Sequence, residues 1–585
     1  MRQKLSVKRS LYPTVIIILS VALALCILQI PSAKGEDNGQ EERVLVIPVQ
    51  TETKTWDPMV GYGAGSDMIT YNIYEGLLSV ERLENGSWVF KPLLATSWEE
   101  SENHTVWTFH LREGVVFHDG TPFNSSAVRF WFDRMLGVNR GPAWIYSTYI
   151  DRVVEVDTYT VRIYLKRPIP SFDFKCIMSN VFGAYGIVSP TYVLSHTTEE
   201  DPWAEDWMYD HTCGTGPYML VNVSHGVESV WARFPDYWGG WEGPHVDKVV
   251  FKVVSDPQVQ MMMFLRGEVD LYGPTRDQVP GVLAAMPEAI LDVDREYLSV
   301  TYIFMNMGKP GPLQDINVRK AISYAFDYEG VINYVYAGYA RPARGPLPHG
   351  IPYWDPELSM YKTNLTLARE YMANSSYPDG FEATIVAGPG DWEQVAEVFQ
   401  SNMAEIGITV NIEVMPYATL WDLMQNATTA PEFTIALWYP DYPTADVYLT
   451  PVFGPLETAW QNWSFYNNSE VNALLEEGRY EFNETQRAQI YMEIQRKIVE
   501  DAPCIFMYEP DRLTFLQPYV EGFKRSPIHN GYRIYDISIE GKYPSEPPPS
   551  TSPPTFWEKY GPIITGTIVV LAMIAISAIY FTRRS

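Results

Sequence analysis

The residues in this chain best placed for chemistry are asparagines. Ten of them stand in Asn-x-Ser/Thr triplets: Asn85, Asn103, Asn124, Asn222, Asn364, Asn374, Asn426, Asn462, Asn467 and Asn483. In such a triplet the side-chain amide nitrogen can accept an oligosaccharide when the chain passes a glycosylating enzyme outside the cytoplasm. Random placement in a chain of this composition gives roughly two or three triplets, so ten is a clear excess. Other reactive residues form no such pattern. GxSxG, HExxH and the P-loop are all missing. His118-Asp119 sets an imidazole beside a carboxylate, the material of metal or acid–base chemistry, but Asp119-Gly120 reads first as a two-residue hairpin turn. The nine His are scattered without ligand spacing. The Gly-rich stretch 61–65 lacks the GxGxxG spacing and reads as a loop. Carboxylate pairs are common in so acidic a chain and do not single out a glycosidase.

The glycosylation triplets lie between two hydrophobic segments, and these position the chain. Residues 1–10 carry Arg2, Lys4, Lys8 and Arg9 and no acid. An apolar run to about Ile30 and then Pro31-Ser32-Ala33 follow, so 1–35 reads as a secretory signal, cut after Ala33 or Gly35 or else retained as an anchor. Cys26 follows Leu25 where a lipid-modified cysteine needs a small residue. At the other end, 561–581 has no charge and spans about 32 Å as a helix, enough for a hydrocarbon core of about 30 Å. Trp557, Tyr560 and Tyr580 flank it, and Arg583 and Arg584 place its far end in the cytoplasm. The Pro-rich stretch 544–558 is a linker favouring extended polyproline II, which holds the folded part some 30–40 Å off the membrane.

The part between, about 43–540, is too long for one core and suggests two or three lobes. The formal charge is −28, and loss of the signal's cations makes it more negative. That excludes a nucleic-acid partner, which needs basic surface. Cys176, Cys213 and Cys504 match no metal or redox spacing; Cys176 and Cys213 either form a disulfide or stay, with Cys504, as buried thiols. Val44, Val46 and Pro48 open with strand-like alternation, and 107–111 is another strand. Asp391 and Gln394 form a capping box for a helix whose apolar face is Val395, Val398, Phe399, Met403 and Ile406, stopped by Gly407. Ile408, Val410, Ile412 and Val414 then alternate as a strand. An earlier helix at 365–372 and strand at 381–386 repeat that order, which indicates α/β lobes.

The chain resembles the extracellular solute-binding proteins of ABC importers, in the dipeptide/oligopeptide-binding family (family 5). The matching stretches run in the family's order. Thr55-Trp56-Asp57-Pro58 stands where the family usually has Leu-Asp-Pro. YNIYEGLL (71–78), KPLLATSWEES (91–101), WTFHLREGVVFHDGTPF (107–123), CGTGPYML (213–220), FPDYWGG (234–240), FLRGEVD (264–270), DINVRKAISYAFDYEGVI (315–332) and ARPARGPLP (340–348) follow. The resemblance covers about 43–535. It implies a two-lobed α/β clamshell of the periplasmic-binding-protein type with an inserted subdomain. Lobe I takes about 43–80, 190–302 and 506–540. The inserted subdomain, about 81–189, packs on lobe I, and lobe II takes about 303–505. A small-molecule solute, peptide or oligosaccharide, is held in the interlobe cleft without turnover. The chain acts as a monomer, needs no cofactor or metal, and delivers its solute to membrane permease subunits driven by a separate cytoplasmic ATPase. A surface-layer glycoprotein and an extracellular hydrolase are the other classes, but neither needs these ordered motifs.

Residues carry over one at a time. The segment 437–449, LWYPDYPTADVYL, resembles the family's cleft segment. It places Asp441 where peptide binders hold the ligand α-amino group, and Trp438 in the same pocket. Glu52 matches a cleft acid, and Tyr302 and Tyr417 match aromatic cleft positions. Pro440 departs from the small residue usual there. With aromatics at 14% of the chain, peptide and oligosaccharide both stay open, and Asp441 favours peptide.

Overall fold

The computed structural model describes residues 42–542 except 62–63, 180–185, 458, 527 and 529–530. The expected signal 1–35, Cys26, the Pro-rich linker and the apolar segment 561–581 therefore lie outside the described residues. Among the described residues no helix is long and apolar enough to cross a membrane.

Lobe I is built on two sheets. Val44–Val49 pairs in parallel with Lys248–Val253, which continues antiparallel through Glu228–Arg233 to Tyr218–Ser224. The chain's first strand thus depends on one about two hundred residues away, and Val46 N–H donates to Asp270 Oδ2 (2.6 Å), which fixes the join. A second, three-stranded sheet sets Arg512–Leu516 between Leu271–Tyr272 and Ile290–Asp294. Lobe II has six strands in the order Ala340–Pro342, Cys504–Pro510, Val300–Met305, Phe433–Trp438, Phe381–Ala387, Ile408–Val414. Its central strand Val300–Met305 is buried at every position, as a strand covered on both faces must be.

The local readings at 365–414 hold because they rest on periodicity alone. Helix Asp391–Ala404 buries Val395, Phe399 and Met403, Gly407 takes φ +82°, and strand Ile408–Val414 runs parallel to Phe381–Ala387. The capping box is absent. Gly390 precedes the helix without a side-chain cap, and the Asp391 carboxylate pairs instead with Arg276 of lobe I (2.5 Å). Asp119-Gly120 forms the expected turn, Gly120 at φ +78°. His118 beside it is half-buried and bonds Gly216 O (2.9 Å), and desolvation of its ring pushes its pKa down to about 4, so it is neutral. Cys176, Cys213 and Cys504 are free buried thiols. Burial raises each thiol pKa and keeps them unreactive.

Two crossings join the lobes, and sheet pairing sets where they fall. Strand Val300–Met305 and all of Cys504–Pro510 pair within the six-stranded sheet, so the chain passes between the sheets at 295–299 and at Asp511. They are clamped together. Arg512 Nε bonds Asp294 Oδ2 (2.9 Å), its guanidinium lies 4.0 Å from the Tyr297 ring centre, and Arg295 approaches Asp511 at 3.7 Å.

The inserted subdomain carries a hairpin, Leu78–Arg82 with Trp88–Pro92, and a four-stranded sheet from Ala95–Glu100 to Thr160–Leu165. It touches lobe I through a fully buried pair: Arg134 donates to both Asp57 oxygens (2.8 and 2.6 Å) and to Trp203 O (3.0 Å). It also touches lobe II, which the sequence reading does not anticipate. Arg487 forks onto Asp173, and Tyr149 donates to Asp446 (3.2 Å), which also pairs with Arg479 (3.0 Å).

Candidate functional site

The site forms where strand Phe433–Trp438 leaves the lobe II sheet. Trp438 is the last paired residue, opposite Val300. Pro440 has no N–H and cannot extend the ladder. Four residues on, Thr444 caps helix Ala445–Phe453, its hydroxyl accepting from Val447 N (3.4 Å). The turn 439–443 is thus fixed at both ends, and it holds Asp441 at 1% exposure. Taking a carboxylate that far out of water is costly without a compensating charge or hydrogen bonds.

Aromatic rings wall the turn. Trp438 stacks on Tyr439 (centres 6.2 Å, 22°) and meets Trp460 edge-on (5.6 Å, 85°). Trp460 contacts Trp421 (5.9 Å) and, from the inserted subdomain, Trp144 (6.4 Å). Tyr439 reaches Tyr297 of the lobe crossing at 6.0 Å. The Tyr439 hydroxyl is held well above the usual phenol range, first by burial and then by Asp67, Tyr297 and Asp441. Asp67 sits in the first turn of helix Ala64–Asn72 of lobe I and is also 1% exposed. Two buried carboxylates, one from each lobe, therefore act on the same phenol. The rings around the turn offer flat apolar faces.

The sequence-expected residues divide. Asp441 and Trp438 come together on the turn. Tyr417 opens helix Tyr417–Leu423 at 43% exposure and joins the wall's outer end through Trp421 (6.2 Å). Tyr302 does not line the site. It is fully buried, its hydroxyl donating to Pro346 O (2.8 Å) and lying 3.3 Å from that of Tyr448, which in turn donates to Trp438 O (2.9 Å). Its ring is core, packed on Phe304, Phe453 and Phe506. Glu52 is exposed and turned elsewhere: its carboxylate accepts from Gly226 N (2.6 Å) and faces His225 (3.5 Å). It borders a small apolar cavity of about 120 Å³ inside lobe I, with Trp56 and Trp231. Asp67, Trp144, Tyr297, Tyr439 and Trp460 were not foreseen. The signal available for them was aromatic abundance, which does not say which rings meet.

The glycosylation triplets also divide. Eight of the asparagines are exposed and Asn124 is half-buried. Asn462 is 4% exposed, and its amide nitrogen donates to Gly454 O (3.2 Å) and Tyr466 O (2.6 Å). Inside the fold it has neither a free hydrogen nor room for a sugar.

Against known proteins, residues 89–460 match the family model of bacterial extracellular solute-binding proteins, family 5 Middle. The probable D,D-dipeptide-binding periplasmic protein DdpA of Escherichia coli is 28% identical over 504 residues, covering 85% of this chain and 94% of that protein. Heme-binding protein A of Haemophilus influenzae is 29% identical over 512 residues, covering 82% and 89%. Among solved structures, the ABC transporter-associated periplasmic binding protein DppA from Helicobacter pylori, in complex with the peptide STSA, superposes with TM-score 0.74 at 25% identity, covering 86% of this chain and 99% of that one. Its fold is the two-lobed α/β architecture described above. The family match takes in most of the inserted subdomain, the first crossing at 295–299 and the Trp438–Asp441 turn, and the chain belongs to the bacterial extracellular solute-binding proteins of family 5.

Proposed function

We propose that this protein is the extracellular solute receptor of an ABC importer, capturing peptides between its lobes and handing them to a membrane permease. The observation that carries the peptide reading is the Trp438–Asp441 turn, which buries a carboxylate at 1% exposure inside an aromatic wall. A peptide's α-ammonium is a cation that can pair with a carboxylate at this turn, and a charge-assisted bond in a dry cleft is strong. Names among the relatives support the class: a di/tripeptide-binding protein of Pseudomonas aeruginosa is 26% identical over 516 residues. No reacting constellation accompanies the site, so the reading is capture without turnover, by a monomer.

The topology belongs to the same proposal. A signal at 1–35, an extracellular body, the linker 544–558 and a helix at 561–581 with Arg583 and Arg584 inside would tether the receptor beside its permease. The exposed triplets support a body that meets glycosylating enzymes. In this reading lobe I holds about 43–80, 190–299 and 511–540, and lobe II about 300–510.

A thermal-shift screen of the purified protein against peptides and oligosaccharides tests the ligand class. A ligand at 100 times its Kd stabilises by about 2.7 kcal/mol. Stabilisation by peptides with a free amino terminus is the expected result; stabilisation by oligosaccharides alone would replace the peptide reading.

A further inference from the structure

A second concavity lies away from the Trp438 wall. It is a groove of about 1160 Å³ bordered by the inserted hairpin, residues 292–296 that lead into the lobe crossing, residues 523–526 and Arg533 of lobe I, and His349 of lobe II. Asn85, one of the ten glycosylation triplets, stands on its rim, at the hairpin tip. We propose that the groove seats an N-linked oligosaccharide carried by Asn85, which ties the inserted hairpin to the lobe crossing. This rests on the extracellular topology given above.

The local geometry suits the modification. Asn85 Oδ1 accepts from Ser87 N (3.0 Å) and Ser87 Oγ (2.7 Å), so the carbonyl side of the amide is held by the triplet itself. Its nitrogen makes no hydrogen bond to the described residues and is free to carry a sugar, unlike that of Asn462. The groove then offers what a saccharide uses. The half-buried rings of Tyr71, Trp88 and Phe523 present flat faces for the apolar C–H face of a pyranose. Asp292 is half-buried, and its carboxylate accepts no hydrogen bond from the described residues. The Arg525 side chain donates only to Thr514 Oγ1 (3.1 Å from Nε) and has no carboxylate within ion-pair distance among the described residues. A sugar hydroxyl both donates and accepts, so it can satisfy the two at once. The volume exceeds that of an ordinary small-ligand pocket, about 300–1,000 Å³, and matches a branched oligosaccharide better than one residue.

The position gives the glycan a consequence. Arg82 of the same hairpin already bonds Glu296 of the crossing. An oligosaccharide laid from Asn85 across 292–296 to 523–526 adds a second link between the inserted subdomain and the segment that must flex when the lobes part.

The test passes the full chain through the secretory pathway of a eukaryotic host that attaches oligomannose glycans and purifies it from the membrane. Glycopeptide mass spectrometry reads occupancy, and endoglycosidase H release is timed at each site under native conditions. Asn103 is the reference, because its Oδ1 makes the same turn with Thr105 Oγ1 (2.9 Å) on an exposed hairpin. The expected result is an occupied Asn85 whose glycan is released at least about tenfold more slowly than that of Asn103, with slowed amide exchange at 292–296. Asn85→Gln and Ser87→Ala should both abolish that slowing; the second removes the glycan and leaves the asparagine. An occupied Asn85 released as fast as Asn103, or a bare Asn85 in a protein glycosylated elsewhere, overturns the proposal. If no triplet carries a glycan, the topology fails and this inference fails with it.

Discussion

Replacing Asp441 by Asn removes one charge and keeps the shape of a side chain that is 1% exposed. A ligand ammonium about 4 Å from a carboxylate gains about 4 kcal/mol at an effective dielectric constant of about 20. Truncating one partner of such a buried pair costs about 2–5 kcal/mol, or about 30-fold to several thousand-fold in Kd. Asp67 decides where in that range the result falls. It is equally buried and acts on the same Tyr439 hydroxyl from the other lobe, so it continues to attract the ammonium in the variant. The expectation is therefore the lower end, a Kd raised about 30- to 100-fold. Titration calorimetry at pH 7, with one peptide and its N-acetylated form against wild type and Asp441→Asn, reads this as a cycle. Acetylation should weaken the wild type strongly and the variant little, because both changes remove the same interaction. An unchanged Kd in the variant, or an acetylation penalty equal in both proteins, would refute the reasoning and place the amino group elsewhere.

Four further outcomes follow from the geometry. Arg487→Met leaves Asp173 buried without its partner and should lower stability in urea by about 3–5 kcal/mol; adding Asp173→Asn should restore part of that, and strictly additive losses would show that the pair is not coupled. Glu75 is raised to about 7, burial outweighing the hydrogen bonds from Trp238, Thr215 and Tyr237. The folded state then holds a proton that the unfolded chain releases near 4.5, so the stability this residue contributes falls as pH rises from about 4.5 to 7. Melting temperatures of Glu75→Gln should vary less over that window than those of wild type, and a slope identical to wild type would assign the dependence to other groups. Tyr302→Phe loses the hydroxyl bond to Pro346 and should cost about 1 kcal/mol of stability with no change in peptide affinity; a tenfold loss of affinity would return the ring to the ligand site. Asn462→Gln should leave the glycan mass of the secreted protein unchanged while Asn103→Gln lowers it by one glycan, and an equal drop in both would mean that Asn462 is modified before folding.

Much of the local structure is legible in the sequence because its causes are local. The apolar stripe Val395, Phe399, Met403 gives the helix, and Gly407 at φ +82° ends it where a side chain would be strained. Alternation at Ile408, Val410 and Ile412 gives the strand. The ordered motifs named the family, and the turn Trp438–Asp441 came with them. Partners distant in the chain were not legible. Asp391 reads as a cap because Gln394 is near in sequence, yet its carboxylate pairs with Arg276, more than a hundred residues away in the chain. Glu52 and Asp67 are both acids in the N-terminal segment. Only packing turns the first to Gly226 on the surface and buries the second beside Tyr439. Asn462 carries the same triplet as Asn103, and only the fold closes around one of them. The sequence alone thus determined the elements and the family, since periodicity and motif order need no third dimension. The tertiary structure decided which carboxylates are buried, which rings form the wall and which amides face solvent, because burial and charge pairing depend on distances that the chain acquires only when it folds.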